Sequence, residues 1–360
     1  MQGGDADTVR EAVENGDPLP GTSGFAGKLD GRLVRDVLGR YPLYVERDAS
    51  DPVDAWSYDP TTLDDPAPVP AGHKWDADGC RERWTLPNPG PFGARESAVE
   101  HVREVVETSI DAVDTESLAI AFSGGLDSAL LAARLDAPLY VAGFPDSHDV
   151  EAARSAADLL DRELQVVELT HDAIERAVPK IAAATGRTNA MAVQIVLPLY
   201  LTAERVAADG FDRLALGQGA DELFGGYAKV AKAPDDPRVE AETVRGAQRE
   251  VLETLPEQLP RDVLALRAAG VESVTPLLHD RVVSAALRLD DEMLVDGETR
   301  KWTLRQAARH TLPEAISTRE KKAAQYGSLA SRELDRLARQ AGYKRRMDDH
   351  VTQYVESLVE

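Results

Sequence analysis

Between residues 117 and 216 short apolar runs alternate with stretches of helical spacing, and this alternation constrains the fold of the 360-residue chain more than any other feature. Residues 117–122, 138–143, 163–169 and 213–216 read as strands, and residues 127–135, 149–160, 171–184 and 191–208 read as helices. Strand and helix in turn predict an α/β fold, a doubly wound parallel sheet with helices on both faces. A helix over 97–113 precedes the first strand, and from about residue 240 the chain reads as nearly all helix. Upstream, residues 1–95 are rich in Pro, Gly and Asp. Short strand-like runs there at Leu33-Val34, Leu43-Tyr44-Val45, Trp56-Ser57-Tyr58 and Arg83-Trp84-Thr85-Leu86 fit a small β-rich layer. Residues 87–93 hold three prolines and two glycines, which sustain neither a helix nor a central strand. The chain is therefore divided into a β-rich domain at 1–95, an α/β domain with a helical C-terminal part at 96–345, and a tail at 346–360.

The 63 Asp and Glu against 41 Lys and Arg leave a formal net charge of −22, which repels nucleic acid and anionic membrane surfaces. A hydrated acidic surface of this kind suits high salt, where a short Debye length screens self-repulsion. No run approaches the roughly 18 consecutive apolar residues of a membrane span. The start, Met1-Gln2-Gly3-Gly4-Asp5, has neither a positive nor an apolar segment. The expected location is the cytoplasm, with no membrane and no nucleic-acid partner. Cys80 is the only cysteine, which rules out an internal disulfide and a Cys-based zinc site; Asp78-Gly79-Cys80-Arg81 reads as a turn ahead of a strand. The seven His residues form no HExxH and no i, i+4 pair, so no His metal site is expected.

Two glycine turns carry chemistry. The first apolar strand ends in Ser123-Gly124-Gly125-Leu126-Asp127-Ser128 and runs on into a helix. Gly124 and Gly125 let the backbone approach a ligand, and the N–H groups of the turn and helix start form an anion site. Ser123 and Ser128 add hydroxyl donors, and Asp127 is a hard oxygen ligand for Mg²⁺ beside a polyphosphate. Ligands of open α/β sheets sit at this carboxyl end of the strands. No Lys follows the glycines, so the turn is not a Walker A loop, and Gly27-Lys28 has the wrong spacing for one. The plainer reading is a tight strand-to-helix turn with an acid in the first helical turn. The second turn, Gly217-Gln218-Gly219-Ala220-Asp221-Glu222-Leu223-Phe224-Gly225-Gly226-Tyr227, follows the last strand. Adjacent carboxylates on such a loop suit a Mg²⁺ bound to phosphate oxygens, although alone the stretch also reads as a solvated acidic turn. With the sheet closed as expected, Asp127 and Asp221 lie at its carboxyl edge and share one Mg²⁺–pyrophosphate group.

The first turn resembles the pyrophosphate loop of the N-type ATP pyrophosphatases, or PP-loop group, and the second is similar to a signature of asparagine synthetases within it. The resemblance runs on through Lys232-Ala233-Pro234, Gly270-Val271-Glu272, Lys301-Trp302-Thr303-Leu304-Arg305, Leu312-Pro313 and Arg319-Glu320-Lys321, covering about 95–330. It implies an adenine nucleotide alpha hydrolase-like fold. It also implies an ATP- and Mg²⁺-dependent ligase, forming AMP and pyrophosphate, that amidates a carboxylate, with aspartate first. By this resemblance Ser123, Gly124, Gly125, Leu126, Asp127, Ser128, Ala142, Gly143, Gly217 and Gly219 hold the nucleotide, and Asp127 and Asp221 hold Mg²⁺. Lys321, Gln218 and Glu222 fall at catalytic positions, Lys321 stabilising charge on the α-phosphate. Without the resemblance, residues 319–322 read as an exposed charged run.

Residues 33–44 and 69–73 look like parts of the same family's glutaminase domain, here truncated. That domain uses a Cys directly after the initiator Met, where this chain has Gln2, so the ammonia is expected from solution or from a separate glutaminase. Two further departures bear on chemistry. Gln218 stands where the family has a Glu credited as a base, and an amide accepts no proton. In 272–279, Val274 and His279 stand where the family has Arg and Asp, which leaves the carboxylate open. The alternatives are a related PP-loop amide synthetase for another carboxylate, or a nucleotide-binding subunit with weak catalysis. A sulfur-transferring tRNA enzyme is disfavoured by the lone cysteine and the acidic charge.

Overall fold

The structure, a computed structural model, describes residues 1–145, 147–233, 235–319 and 329–359. Two compact units share the chain. One comprises Met1–Val113, Gly217–Arg261 and Thr275–Thr311; the other comprises Asp114–Leu216, Asp262–Val274 and Leu312–Glu360.

The first unit opens with a helix, Ala6–Asn15, which the β-rich reading of 1–95 missed. Its local signals are plain: the Asp5 carboxylate accepts the N–H groups of Asp7 and Thr8, and Gly16 closes the helix at φ 71°. Seven short strands follow: β1 (Ala26–Leu29), β2 (Arg32–Arg35), β3 (Tyr44–Glu46), β4 (Trp56–Ser57), β5 (Pro66–Pro68), β6 (His73–Asp76) and β7 (Gly79–Glu82). They form two antiparallel sheets, ordered β1-β2-β6-β7 and β4-β3-β5. Period-two alternation sends neighbouring side chains to different cores. Val34 packs with Val9, Phe25 and Trp84, whereas Leu33 packs with Leu43, Val45 and Val69.

Two readings of this layer are corrected. Cys80 lies inside β7 opposite Trp75, not in a turn. Pairing ends at Glu82, so 83–86 is not a strand; the N–H groups of Arg83 and Trp84 both reach the Gly72 carbonyl, and Trp84 plugs the core edge-on to Phe25. A side chain that is apolar because it fills a hole mimics the alternation of a strand.

A buried charge cluster sits within the same unit. Arg40 Nε meets Asp36 at 2.9 Å, its Nη2 meets Asp280 at 2.6 Å, and its Nη1 donates to the Leu278 carbonyl at 2.7 Å. Asp280 also accepts from the Thr22 N–H at 2.8 Å, the Thr22 hydroxyl at 3.1 Å and the Gly21 N–H at 3.1 Å. Asp36 accepts the N–H groups of Phe25, Leu38 and Arg40. Every charge is met by donors or counter-charge, as burial requires.

The second unit is built on a parallel sheet of β8 (Leu118–Ala121), β9 (Leu139–Gly143), β10 (Leu164–Glu168), β11 (Arg213–Ala215) and β12 (Glu272–Val274), ordered β10-β9-β8-β11-β12. The order reverses at β8, the mark of double winding. Ala119, Tyr140, Ala142, Leu214 and Leu216 share a core with the helices His171–Thr185, Ala190–Ala208 and Ala330–Gln340. Leu118, Ile120, Leu139 and Val141 turn to the opposite face, where Leu126–Ala132 and His148–Leu159 pack. Ala190–Ala208 is long and apolar enough to cross a membrane by length and composition, yet its side chains build this core. The strand β12 was not anticipated in a stretch read as helical.

Candidate functional site

In the unit built on the parallel sheet, β8 ends at Ala121 and the chain turns through Ser123, Gly124 and Gly125 into the helix Leu126–Ala132. Gly124 holds φ 70°, and a Cβ there would lie 2.4 Å from the Ala152 oxygen, so only glycine fits. The Ser128 hydroxyl faces inward. It accepts from the Ser123 N–H at 3.2 Å, lies 3.3 Å from the Ser123 hydroxyl and donates to the Gly125 carbonyl at 3.3 Å. Asp127 and Ser128 are only 5% and 4% exposed, and no side chain caps the helix start. The turn is thus preorganised by its own hydroxyls.

Ala142 and Gly143 close the neighbouring strand β9 at the same carboxyl edge, paired in register with Val167 and Glu168 of β10. A Cβ at Gly143 would lie 2.4 Å from the Ser147 hydroxyl oxygen, which itself caps the helix His148–Leu159. Arg319, quoted above only within the segment Arg319-Glu320-Lys321 and given no role of its own, also belongs here. It donates to the carbonyls of Ala152 and Gly124 and to the Ser155 hydroxyl. Lys321 lies outside the described residues.

The second glycine turn belongs to the other unit. Gly219 sits at φ 100° at the head of the short helix Ala220–Leu223, and a Cβ there would lie 2.7 Å from Leu278 Cγ. Glu222 is buried with both oxygens engaged, Oε2 by the Gly219 N–H at 3.0 Å and Oε1 by the Tyr227 hydroxyl at 2.5 Å. Burial raises its pKa, and the neighbouring Asp221 charge raises it further. Asp221 pairs with Lys301 Nζ at 2.5 Å; the Lys301 side chain is 9% exposed and that of Asp221 38%. Lys301 adopts φ 57°, rare for a residue with a Cβ. Arg300 Nη1 holds the Gly226 carbonyl at 2.9 Å. Gln218 and Gly217 lead from β11 into this turn. Sequence reasoning named Lys301 only as part of a longer segment; its place at the turn depends on a backbone conformation that residue type does not signal.

His279 begins the helix Asp280–Ala286, its Nδ1 accepting the Arg281 N–H at 3.2 Å. Burial and the nearby Arg281 hold its pKa down at about 4, so the ring is neutral at ordinary pH. Cys80 is exposed, and partial desolvation raises its thiol pKa, the reverse of an activated nucleophile.

Among the described residues no group of three or more His, Cys, Asp or Glu could hold a metal ion alone. A Mg²⁺ fits only where phosphate oxygens and water complete its shell around a protein carboxylate, and the buried Asp127 beside the 123–128 hydroxyls is a donor of the right hardness.

The asparagine synthase family model matches residues 101–245 and 231–358. The chain is similar to a protein from Methanocaldococcus jannaschii that carries the name of a glutamine-hydrolyzing asparagine synthetase. They are 30% identical over 281 residues, covering 68% of this chain and 52% of that protein. It is also similar to glutamine-hydrolyzing asparagine synthetase B of Escherichia coli, 26% identical over 344 residues, covering 85% and 61%. A glutamine-hydrolyzing asparagine synthetase of Zea mays is 26% identical over 328 residues, covering 80% and 54%. The chain thus spans between half and two thirds of the length of these relatives.

Proposed function

The chain belongs to the asparagine synthase family, and from that premise we propose that it is an AMP-forming carbon–nitrogen ligase that amidates a carboxylate with ATP, aspartate being the first substrate. The observation that carries the reading is the 123–128 turn, which offers backbone N–H groups and inward hydroxyls at the carboxyl edge of a parallel sheet.

In the proposed reaction a carboxylate oxygen attacks the α-phosphorus and the bond to the β-bridging oxygen breaks, releasing pyrophosphate. Ammonia then attacks the acyl carbon, the bond to the AMP oxygen breaks, and a proton leaves nitrogen to give the amide. Adenylation is needed because a carboxylate has no leaving group. Ser123, Gly124, Gly125, Leu126 and Ser128 are assigned to the polyphosphate, and Ala142, Gly143, Gly217 and Gly219 are assigned by the family resemblance to the nucleotide. Mg²⁺, when bound, neutralises charge on the phosphate oxygens; Asp127 and Asp221 are the carboxylates assigned to it. Lys321 is assigned to charge on the α-phosphate. Glu222, both oxygens engaged, acts by holding its turn in shape. Gln218 orients by hydrogen bonding and takes no proton, which suits ammonia that arrives already deprotonated.

The only thiol of the chain is unactivated, which supports an ammonia source outside it, in solution or from a separate glutaminase. The acidic charge supports a cytoplasmic protein working at high salt without nucleic acid. The test is release of AMP and pyrophosphate in high salt with ammonia and each candidate carboxylate. Asp127→Ala is expected to lower the rate by about 10²–10³, and Lys321→Ala to lower it likewise. ATP binding without AMP from any acid would instead identify a nucleotide-binding subunit with weak catalysis, the reading that Gln218 favours.

A further inference from the structure

Arg319 ties the glycine turn after β8 to the helix His148–Leu159. Its Nη1 donates to the Ala152 carbonyl at 2.9 Å and faces the Gly124 carbonyl at 3.4 Å, while Nη2 donates to the Ser155 hydroxyl at 3.1 Å. Gly124 is pressed so close to Ala152 that a Cβ would overlap the Ala152 oxygen. Two carbonyl oxygens therefore converge on one guanidinium nitrogen, an arrangement that repels unless a cation lies against both. A trans peptide is planar, so the Gly125 N–H points opposite to the Gly124 carbonyl. Holding that carbonyl toward Arg319 turns the Gly125 N–H to the other side of the turn, the side on which the polyphosphate is assigned.

We propose that Arg319 is a positioning residue that fixes the Gly124–Gly125 peptide plane so that the Gly125 N–H is presented to the ligand's polyphosphate, an inference that rests on the nucleotide reading above. Without the guanidinium, the Gly124 carbonyl meets the Ala152 carbonyl with no cation against both, and its peptide is free to rotate. Glycine permits that rotation where other residues resist it. A flipped plane would replace a donor with a carbonyl oxygen facing an anion.

The test is calorimetric binding of Mg²⁺–ATP, inorganic pyrophosphate and adenosine to the whole chain and to R319A, R319K and S155A, with melting temperatures alongside. R319A is expected to weaken ATP and pyrophosphate about tenfold or more, the loss of one donor to a charged acceptor, and to leave adenosine unchanged. R319K, which keeps a cation near both carbonyls, recovers part of the loss. S155A removes a bond that does not touch the Gly124 peptide and leaves pyrophosphate affinity unchanged. A melting-temperature drop shared by R319A and S155A, with the pyrophosphate-to-adenosine ratio unmoved, would reduce Arg319 to scaffold and overturn the proposal. Failure of the unaltered chain to bind ATP and pyrophosphate would overturn the nucleotide reading itself.

Discussion

Replacing Asp280 by alanine strips one buried acceptor from four donors: Arg40 Nη2, the Thr22 N–H, the Thr22 hydroxyl and the Gly21 N–H. Arg40 and Asp280 are 3% and 1% exposed at their side chains, so no water stands ready to replace the lost partner. Breaking a buried ion pair on one side costs about 3–5 kcal/mol. Arg40 retains Asp36, which favours the lower end of that range, but the buried Thr22 N–H adds an unmet donor worth about 1–3 kcal/mol. The expected loss for Asp280→Ala is therefore about 3–5 kcal/mol. Arg40→Met should lose at least as much, because it leaves two buried carboxylates without the guanidinium that bridges them. The assay is urea unfolding followed by tryptophan fluorescence, which reports on this unit because Trp56, Trp75, Trp84 and Trp302, all four tryptophans, lie within it. Dry charges are poorly screened, so the loss should persist from low to high salt. A change below about 0.5 kcal/mol, the range of ordinary surface substitutions, or one that vanishes in salt, would refute the claim that the cluster is buried and satisfied.

Gly124→Ala forces a Cβ to within 2.4 Å of the Ala152 oxygen at φ 70°. The left-handed backbone alone costs about 1–2 kcal/mol, and pyrophosphate binding should weaken more than tenfold, read by calorimetry. His279 sets a pH dependence: its folded pKa of about 4 lies below the ordinary 6.5, so between these values the unfolded chain takes up a proton that the native ring refuses. Stability is full above pH 6.5 and falls as pH drops through 6.5 toward 4, by about 1–3 kcal/mol for a partly buried ring. His279→Asn, which can still cap the helix, should flatten that fall in unfolding titrations.

The parallel sheet was legible because its strands β8 and β9 are almost wholly buried apolar runs separated by helical spacing. The strand β12 was not, since Glu272-Ser273-Val274 is short, half exposed and at the sheet edge, where no burial forces an apolar pattern. The helix Ala6–Asn15 was passed over within a Gly- and Asp-rich stretch although its cap and closing glycine stand in the sequence. Gly124 and Gly219, each in its own turn, could be named from residue type, because a close backbone approach demands a residue without a Cβ. What Arg319 does depends on where two carbonyls point, and Lys301 on a rare backbone angle; neither is written in composition or spacing.

Because Glu272–Val274 supplies the outer partner of β11, a ribosome must make nearly sixty further residues after Ala215 before that strand gains its neighbour on this side. Until then β11 offers an open row of amides and carbonyls to any passing strand. During synthesis, the dense negative charge of the nascent chain would keep such encounters rare, so the acidic composition guards the half-made sheet as well as the finished surface.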